Sequence, residues 1–150
     1  MNISIQHRSP TIEEYHLLRE EIGWGTPDVE ASATSLANAL FTVCLEKEDE
    51  LIGIGRIVGD GGLFFYIQDL IIRKNHRGKG YADIIMKELI HYLSQNVRSG
   101  AFVALFSAKG VEGLYEKYGF ISRPNEQFGA GMFIPIEKLK KQNQKSELTA

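Results

Sequence analysis

Cysteine is almost missing from these 150 residues. Cys44 is the single one, which excludes an internal disulfide framework and a cysteine-rich zinc site. Charge of one sign is not in excess either: 17 Lys and Arg stand against 19 Asp and Glu, a formal net charge of −2. Without a basic surplus, nucleic acid is not an expected partner. No apolar run approaches the ~20 residues needed to span a bilayer, and the N-terminus lacks the apolar core of a secretory signal, so no membrane is expected and a cytoplasmic protein is. His7, His16, His76 and His91 show no His-x-x-x-His spacing and no nearby carboxylate set, so no metal is expected. There is no internal repeat. The length suits one domain, by the usual scale of about 100–200 residues each.

What is present reads as alternating helices and strands. A short strand is predicted over residues 2–7. Ser9-Pro10-Thr11 opens a helix through Ile22, with Ile12, Tyr15, Leu17, Leu18 and Ile22 on its inner side. Gly23-Trp24-Gly25 breaks it. Thr26-Pro27 reads as an N-cap and first-position proline, starting a second helix to about Leu40. Strands follow over 41–46 and 51–58, joined by the acidic turn Glu48-Asp49-Glu50. The turn Asp60-Gly61-Gly62 leads into a central strand over 63–73. A later strand is predicted over 102–106, and two more over 120–123 and 131–136. Residues 137–150 are polar and read as a helix remnant and frayed tail behind a domain of residues 1–136. Cys44 lies in the strand-like run Phe41–Leu45, as a buried, inert thiol.

The most informative stretch is Arg77-Gly78-Lys79-Gly80-Tyr81-Ala82. It follows the apolar run Tyr66-Ile67-Gln68-Asp69-Leu70-Ile71-Ile72 and precedes a helix whose stripe is Ala82, Ile85, Met86, Leu89, Ile90 and Leu93. A strand, a glycine turn and a helix start together make an anion site. The glycines let the backbone come close, and the first-turn N–H groups point at the ligand. Two familiar nucleotide loops do not fit. No Gly-Lys-Ser/Thr is present for a Walker A loop, and Asp83 stands where a dinucleotide fingerprint needs its third glycine.

What Arg77, Gly80 and Ala82 match is Arg-x-x-Gly-x-Ala. Downstream comes Gly113-Leu114-Tyr115-Glu116-Lys117-Tyr118-Gly119-Phe120, a short helix stopped at Gly119. The two motifs, in this order and separation, resemble those of the GNAT superfamily of N-acetyltransferases, over roughly residues 1–136. The resemblance implies a single-domain α/β (α+β) fold: a mostly antiparallel mixed sheet of about six to seven strands, flanked by about four helices. It implies acetyl-CoA as co-substrate, its pyrophosphate held by Arg77, Gly78, Lys79, Gly80, Tyr81 and Ala82. It further implies an irregularity in the central strand that turns backbone N–H groups of Leu70, Ile71 and Ile72 toward the acetyl and pantetheine arm. Many relatives place an asparagine seven residues before the closing tyrosine. Here that position is Ala108, flanked by Ser107 and Lys109, which puts the contacts on that side of the coenzyme in question.

Acetyl transfer to an amine needs the amine neutral, which costs an alkyl amine about 4 kcal/mol near physiological pH. By its place in the motif, Tyr115 is implied as general acid for the departing thiolate; the alternative is a core aromatic. Tyr118 reads as packing. Asp69 interrupts an apolar strand, and a carboxylate there should be paired, protonated or functional. It stands either as general base or as a structural partner of Arg56 or Arg73. Trp24, between two glycines, and Phe128, in Phe128-Gly129-Ala130-Gly131, are candidates to wall the acceptor site, and Trp24 alternatively plugs the core. A small-molecule amine is the expected acceptor. A peptide or protein acceptor, and a non-catalytic acyl-CoA binding module, stand as alternatives. A homodimer is left open.

Overall fold

The computed structural model describes residues 2–149, with side chains as far as residue 143. Two compact units divide the chain, Met1–Ser107 and Ala108–Ala150. The first holds β1 (Ile3–Gln6), α1 (Ile12–Glu21), α2 (Val29–Ala37), β2 (Phe41–Lys47), β3 (Glu50–Gly59), β4 (Phe64–Ile72), α3 (Tyr81–Asn96) and β5 (Phe102–Leu105). The second holds α4 (Glu112–Glu116) and α5 (Ile136–Thr149).

One sheet runs β1-β2-β3-β4-β5, antiparallel except for the parallel β4–β5 pair that the α3 crossover makes possible. Side chains alternate between its faces. Ile54 of β3 and Ile71 of β4 join Tyr15, Leu18, Leu36 and Cys44 in a core under α1 and α2. Gly53 and Gly55 face the other way, where α3 packs. A Cβ on Gly55 would lie 2.5 Å from Ile85 Cγ2, so α3 can lie this close only over glycine.

Local chemistry sets the ends of the elements. Thr11 caps α1 in a reciprocal box: its hydroxyl accepts from the Glu14 N–H, and the Glu14 carboxylate accepts from its own N–H. Arg8 then ties Glu14 to Glu46 on β2. The Asp60 carboxylate accepts from the N–H groups of Gly62, Leu63 and Phe64, closing the β3–β4 turn. Cys44 is fully buried, and desolvation pushes its thiol up to about 12, so it stays protonated at any ordinary pH.

The architecture departs from expectation in five respects. Among the described residues there are five strands and five α-helices, because the segments 120–123 and 131–136 form no strand. They have β-forming side chains, but a strand persists only where a neighbour completes its ladder. Pro124 and a turn organised by the Asn125 side chain, which accepts from the N–H groups of Gln127 and Phe128, direct the backbone otherwise. The cap of α2 is Asp28, accepting from the Ala31 N–H, because Thr26 instead donates its hydroxyl to Glu20. That helix ends at Ala37 rather than near Leu40. Leu17 turns outward from α1. Residues 137–150, read as a helix remnant and frayed tail, are helical as far as they are described, in α5 (Ile136–Thr149). Among the described residues no helix is long and apolar enough to cross a membrane.

Candidate active site

Three features of the first unit meet along β4. The first is an open edge. β5 pairs only with Phe64–Ile67, so Gln68–Ile72 run past its end with no strand beside them on that side, among the described residues. The second is a bulge. Ile54 pairs with Ile71 and Arg56 with Gln68, so Gly55 alone stands opposite both Asp69 and Leu70. Asp69 takes the left-handed conformation (φ 57°), which Asp tolerates better than most residues. Leu70, Ile71 and Ile72 thus lie on the open edge at and beyond a strand irregularity.

The third feature is the glycine turn at the C-terminal end of β4. After a 3-10 turn at Lys74–His76, Arg77 donates its Nε–H to the Ile72 carbonyl at 3.1 Å, pinning the loop to the strand. Gly78 (φ 73°) and Gly80 (φ 81°) then turn the chain into α3. Gly80 is the N-cap and has no side chain with which to cap the first-turn N–H groups of α3. A pocket of about 250 Å³ opens there, lined by Ile72, His76, Arg77, Gly78 and Gly80 among others. The ring Nδ1 of His76 is buried in this wall without a hydrogen-bond partner among the described residues. Sequence reasoning gave His76 no part, and only its adjacency to Arg77 could have suggested one. The Tyr81 side chain is buried in the core, leaving its backbone to face the turn.

Behind β4 lies a buried polar cluster. The Asp69 side chain is wholly excluded from solvent and that of Arg56 is 1% exposed. Asp69 Oδ2 accepts from Arg56 Nη1 at 2.9 Å and from the Tyr15 hydroxyl at 2.6 Å, and Oδ1 accepts from Gln68 Nε2 at 3.1 Å. Arg56 Nη2 also donates to the carbonyl and hydroxyl of Ser35 on α2. Burial, then the Asp69 carboxylate, raises the Tyr15 pKa, so the phenol keeps its proton. Of the two candidate partners for Asp69, the structure takes Arg56; Arg73 pairs with Glu21 and Glu50.

Trp24 follows α1 between Gly23 (φ 83°) and Gly25 (φ 74°). It is 45% exposed and so does not plug the core; the Arg19 guanidinium stacks over its ring at 5.5 Å.

The remaining candidates belong to the second unit. Tyr115 on α4 is buried, its ring edge-on to Phe120 at 6.3 Å. The Tyr115 carbonyl accepts from Tyr118 and Phe120 N–H groups, a turn that Gly119 permits at φ 95°. Tyr118 is half-buried beneath Lys117. Phe128 is exposed, with Arg123 over its ring at 5.2 Å, and Arg123 also donates to the Gly129 carbonyl at 2.7 Å. Ala108 opens this unit, its carbonyl accepting from Val111.

A mixed sheet with a bulged central strand, one open edge and a glycine turn into a helix is a fold shared with acetyltransferases. Residues 25–140 match the family model of the acetyltransferase (GNAT) domain, and the chain belongs to that family. It is 31% identical over 104 residues to GCN5-related N-acetyltransferase 1, chloroplastic, of Arabidopsis thaliana. That match takes in 69% of this chain and 51% of the relative, so the chain spans about half that protein's length. It is similar to the crystal structure of SA2161, a protein of unknown function from meticillin-resistant Staphylococcus aureus: TM-score 0.80, 36% identity, 89% of this chain and 98% of that one. A GNAT-family protein from Streptococcus pneumoniae shares the fold at TM-score 0.72 and 24% identity, over 89% and 98% of the two chains.

Proposed function

We propose that this protein moves an acetyl group from acetyl-CoA to a primary amine of a small molecule, by direct attack of the amine on the thioester. The observation that carries this is the open edge of β4, which runs from the bulge at Asp69 into the glycine turn. The family supplies the class of reaction.

Each residue then has a task. Arg77–Ala82 hold the pyrophosphate with backbone N–H groups and the charges of Arg77 and Lys79. Leu70, Ile71 and Ile72 bind the acetyl and pantetheine arm through their backbones, and N–H groups there meet the charge that develops on the thioester oxygen. Their apolar side chains are no obstacle, since only main-chain atoms act. The acceptor amine enters beside Trp24. Closing that side removes water and so eases loss of the ammonium proton. Asp69 is occupied by three hydrogen bonds and closed to solvent, so we assign it to holding the bulge rather than to taking that proton. Tyr115 donates a proton to the departing thiolate: a phenol near pKa ~10 stays protonated at neutral pH, while the parent thiol lies near ~8.5. No metal is needed, and the protein acts in the cytoplasm.

A free-thiol screen with acetyl-CoA over small amines, amino acids, polyamines and peptides tests the assignment. Turnover of small primary amines is expected. Turnover of peptides alone would move the protein to the other acceptor class. Tyr115→Phe keeps the ring and removes one hydroxyl, so kcat should fall about 10²–10⁴-fold with acetyl-CoA affinity unchanged. Activity within a few-fold of wild type would make Tyr115 a packing residue, and binding without any turnover in the wild type would make the protein a coenzyme-binding module.

A further inference from the structure

Arg19 has a cation's worth of bonding left over. Its side chain is only 20% exposed, yet among the described residues its contacts are long ones. Its Nε and Nη2 reach the carbonyls of Gly25 and Trp24 at 3.4 Å each. Its nearest carboxylate oxygen, Asp69 Oδ1, is 3.7 Å away, and Asp69 is already satisfied by Arg56, Tyr15 and Gln68. The acids beside it on α1 are engaged elsewhere: Glu20 accepts from Thr26, and Glu21 pairs with Arg73. Two guanidiniums therefore share one buried carboxylate, and Arg56 holds it the closer, at 2.9 Å against 3.7 Å for Arg19.

Arg19 is flanked by the rings of Tyr15 at 5.7 Å and Trp24 at 5.5 Å, and its long contacts leave donor capacity for a stronger acceptor. A planar fork of five donors matches a carboxylate two-to-two. Asp69, beside Arg19, is followed directly by Leu70, the second residue of the bulge. We propose that Arg19 binds a carboxylate carried by the acceptor, so that the amine acetylated here belongs to a free amino acid or a small amino-acid derivative. This rests on the acetyl group lying at Leu70, as set out above.

The test compares the common amino acids with their decarboxylated amines, in full-length wild type, Arg19→Gln and Arg19→Lys. Wild type should prefer at least one acid over its decarboxylated counterpart by tenfold or more in kcat/KM. In Arg19→Gln the KM of that acid should rise about 10²-fold, the worth of a charge-assisted pair. The preference should then fall to about one, with partial recovery in Arg19→Lys. Equal or better use of the decarboxylated amines by wild type overturns the proposal, as does an unchanged preference in Arg19→Gln. A second readout is free of turnover. Trp24 is the only tryptophan and stacks on Arg19, so titrating in the amino acids should change its fluorescence saturably in wild type and not in Arg19→Gln. A saturable response without acetylation of any amine would keep Arg19 as a carboxylate site and sink the acetyl-transfer assignment instead. No saturable response to any acid overturns the Arg19 proposal.

Discussion

Gly80→Asp is expected to abolish acetyl-CoA binding in a protein that still folds. A Cβ at Gly80 would meet nothing within 4 Å, so the new side chain has room. The cost to the fold is the left-handed φ of 81°, about 1–2 kcal/mol for an ordinary residue and less for Asp. The cost to binding is far larger. The carboxylate would stand at the N-cap of α3, where it can accept from the first-turn N–H groups and meet the approaching phosphates with like charge. A like-charge contact of this kind costs several kcal/mol, or about 10²-fold and more in affinity. Gly80→Asn fills the same space without charge and should bind more weakly than wild type but better than Gly80→Asp. Calorimetry on the three proteins, beside their melting temperatures, checks the order. Unchanged affinity in a folded Gly80→Asp protein would remove the pyrophosphate from this turn.

Arg56→Met should be the most destabilising single change in the polar cluster. It leaves the buried Asp69 carboxylate with only Arg19, 3.7 Å away, as a cation, and breaking such a pair from one side costs about 3–5 kcal/mol. At roughly 2–4 °C per kcal/mol for a chain of this size, the melting temperature should drop by about 6–20 °C. Adding Asp69→Asn removes the stranded charge while keeping a residue that tolerates φ 57°, so much of that loss should return. Catalysis separates the possible roles. If the pair holds the bulge, kcat of the double variant stays about 10–100-fold low at every pH, as a misplaced oxyanion donor would leave it. If Asp69 were a base, the acidic limb of the pH–rate profile would change shape instead. Recovery of kcat together with stability would leave the cluster a purely structural device.

How much of this was legible beforehand depends on how local each signal is. The glycine turn could be read because Arg77, Gly78 and Gly80 state their geometry within a few residues, and the inner stripe of α3 because helical spacing repeats along one element. The position of the bulge was marked by a charge, Asp69, in an otherwise apolar strand. Its partner was not marked. Arg56 and Arg73 were equal candidates until the β3–β4 register placed Arg56 beside Gln68 and α1 took Arg73 through Glu21. The cap of α2 failed for a similar reason: Thr26 and Asp28 are both able caps, and the choice was made by Glu20, six residues before Thr26. The two late strands failed because composition describes one strand while a ladder needs two. Arg19 carried no local signal at all; its importance comes from being the second cation at one carboxylate.

The strand order of the sheet, which equals its order in the chain, has a kinetic side. β2, β3 and β4 are joined by turns of a few residues, so their pairings close with little loss of chain entropy. β1 must wait for the chain through α1 and α2 to fold back, and β5 for the whole of α3. Pairings of long sequence separation form late and slowly. The three-stranded meander is thus the natural first structure of the chain, which pulse-labelled hydrogen exchange would detect as its earliest protection. Its last strand, β4, is then already seated against β3 while its far edge awaits β5, which arrives to cover only four of its residues.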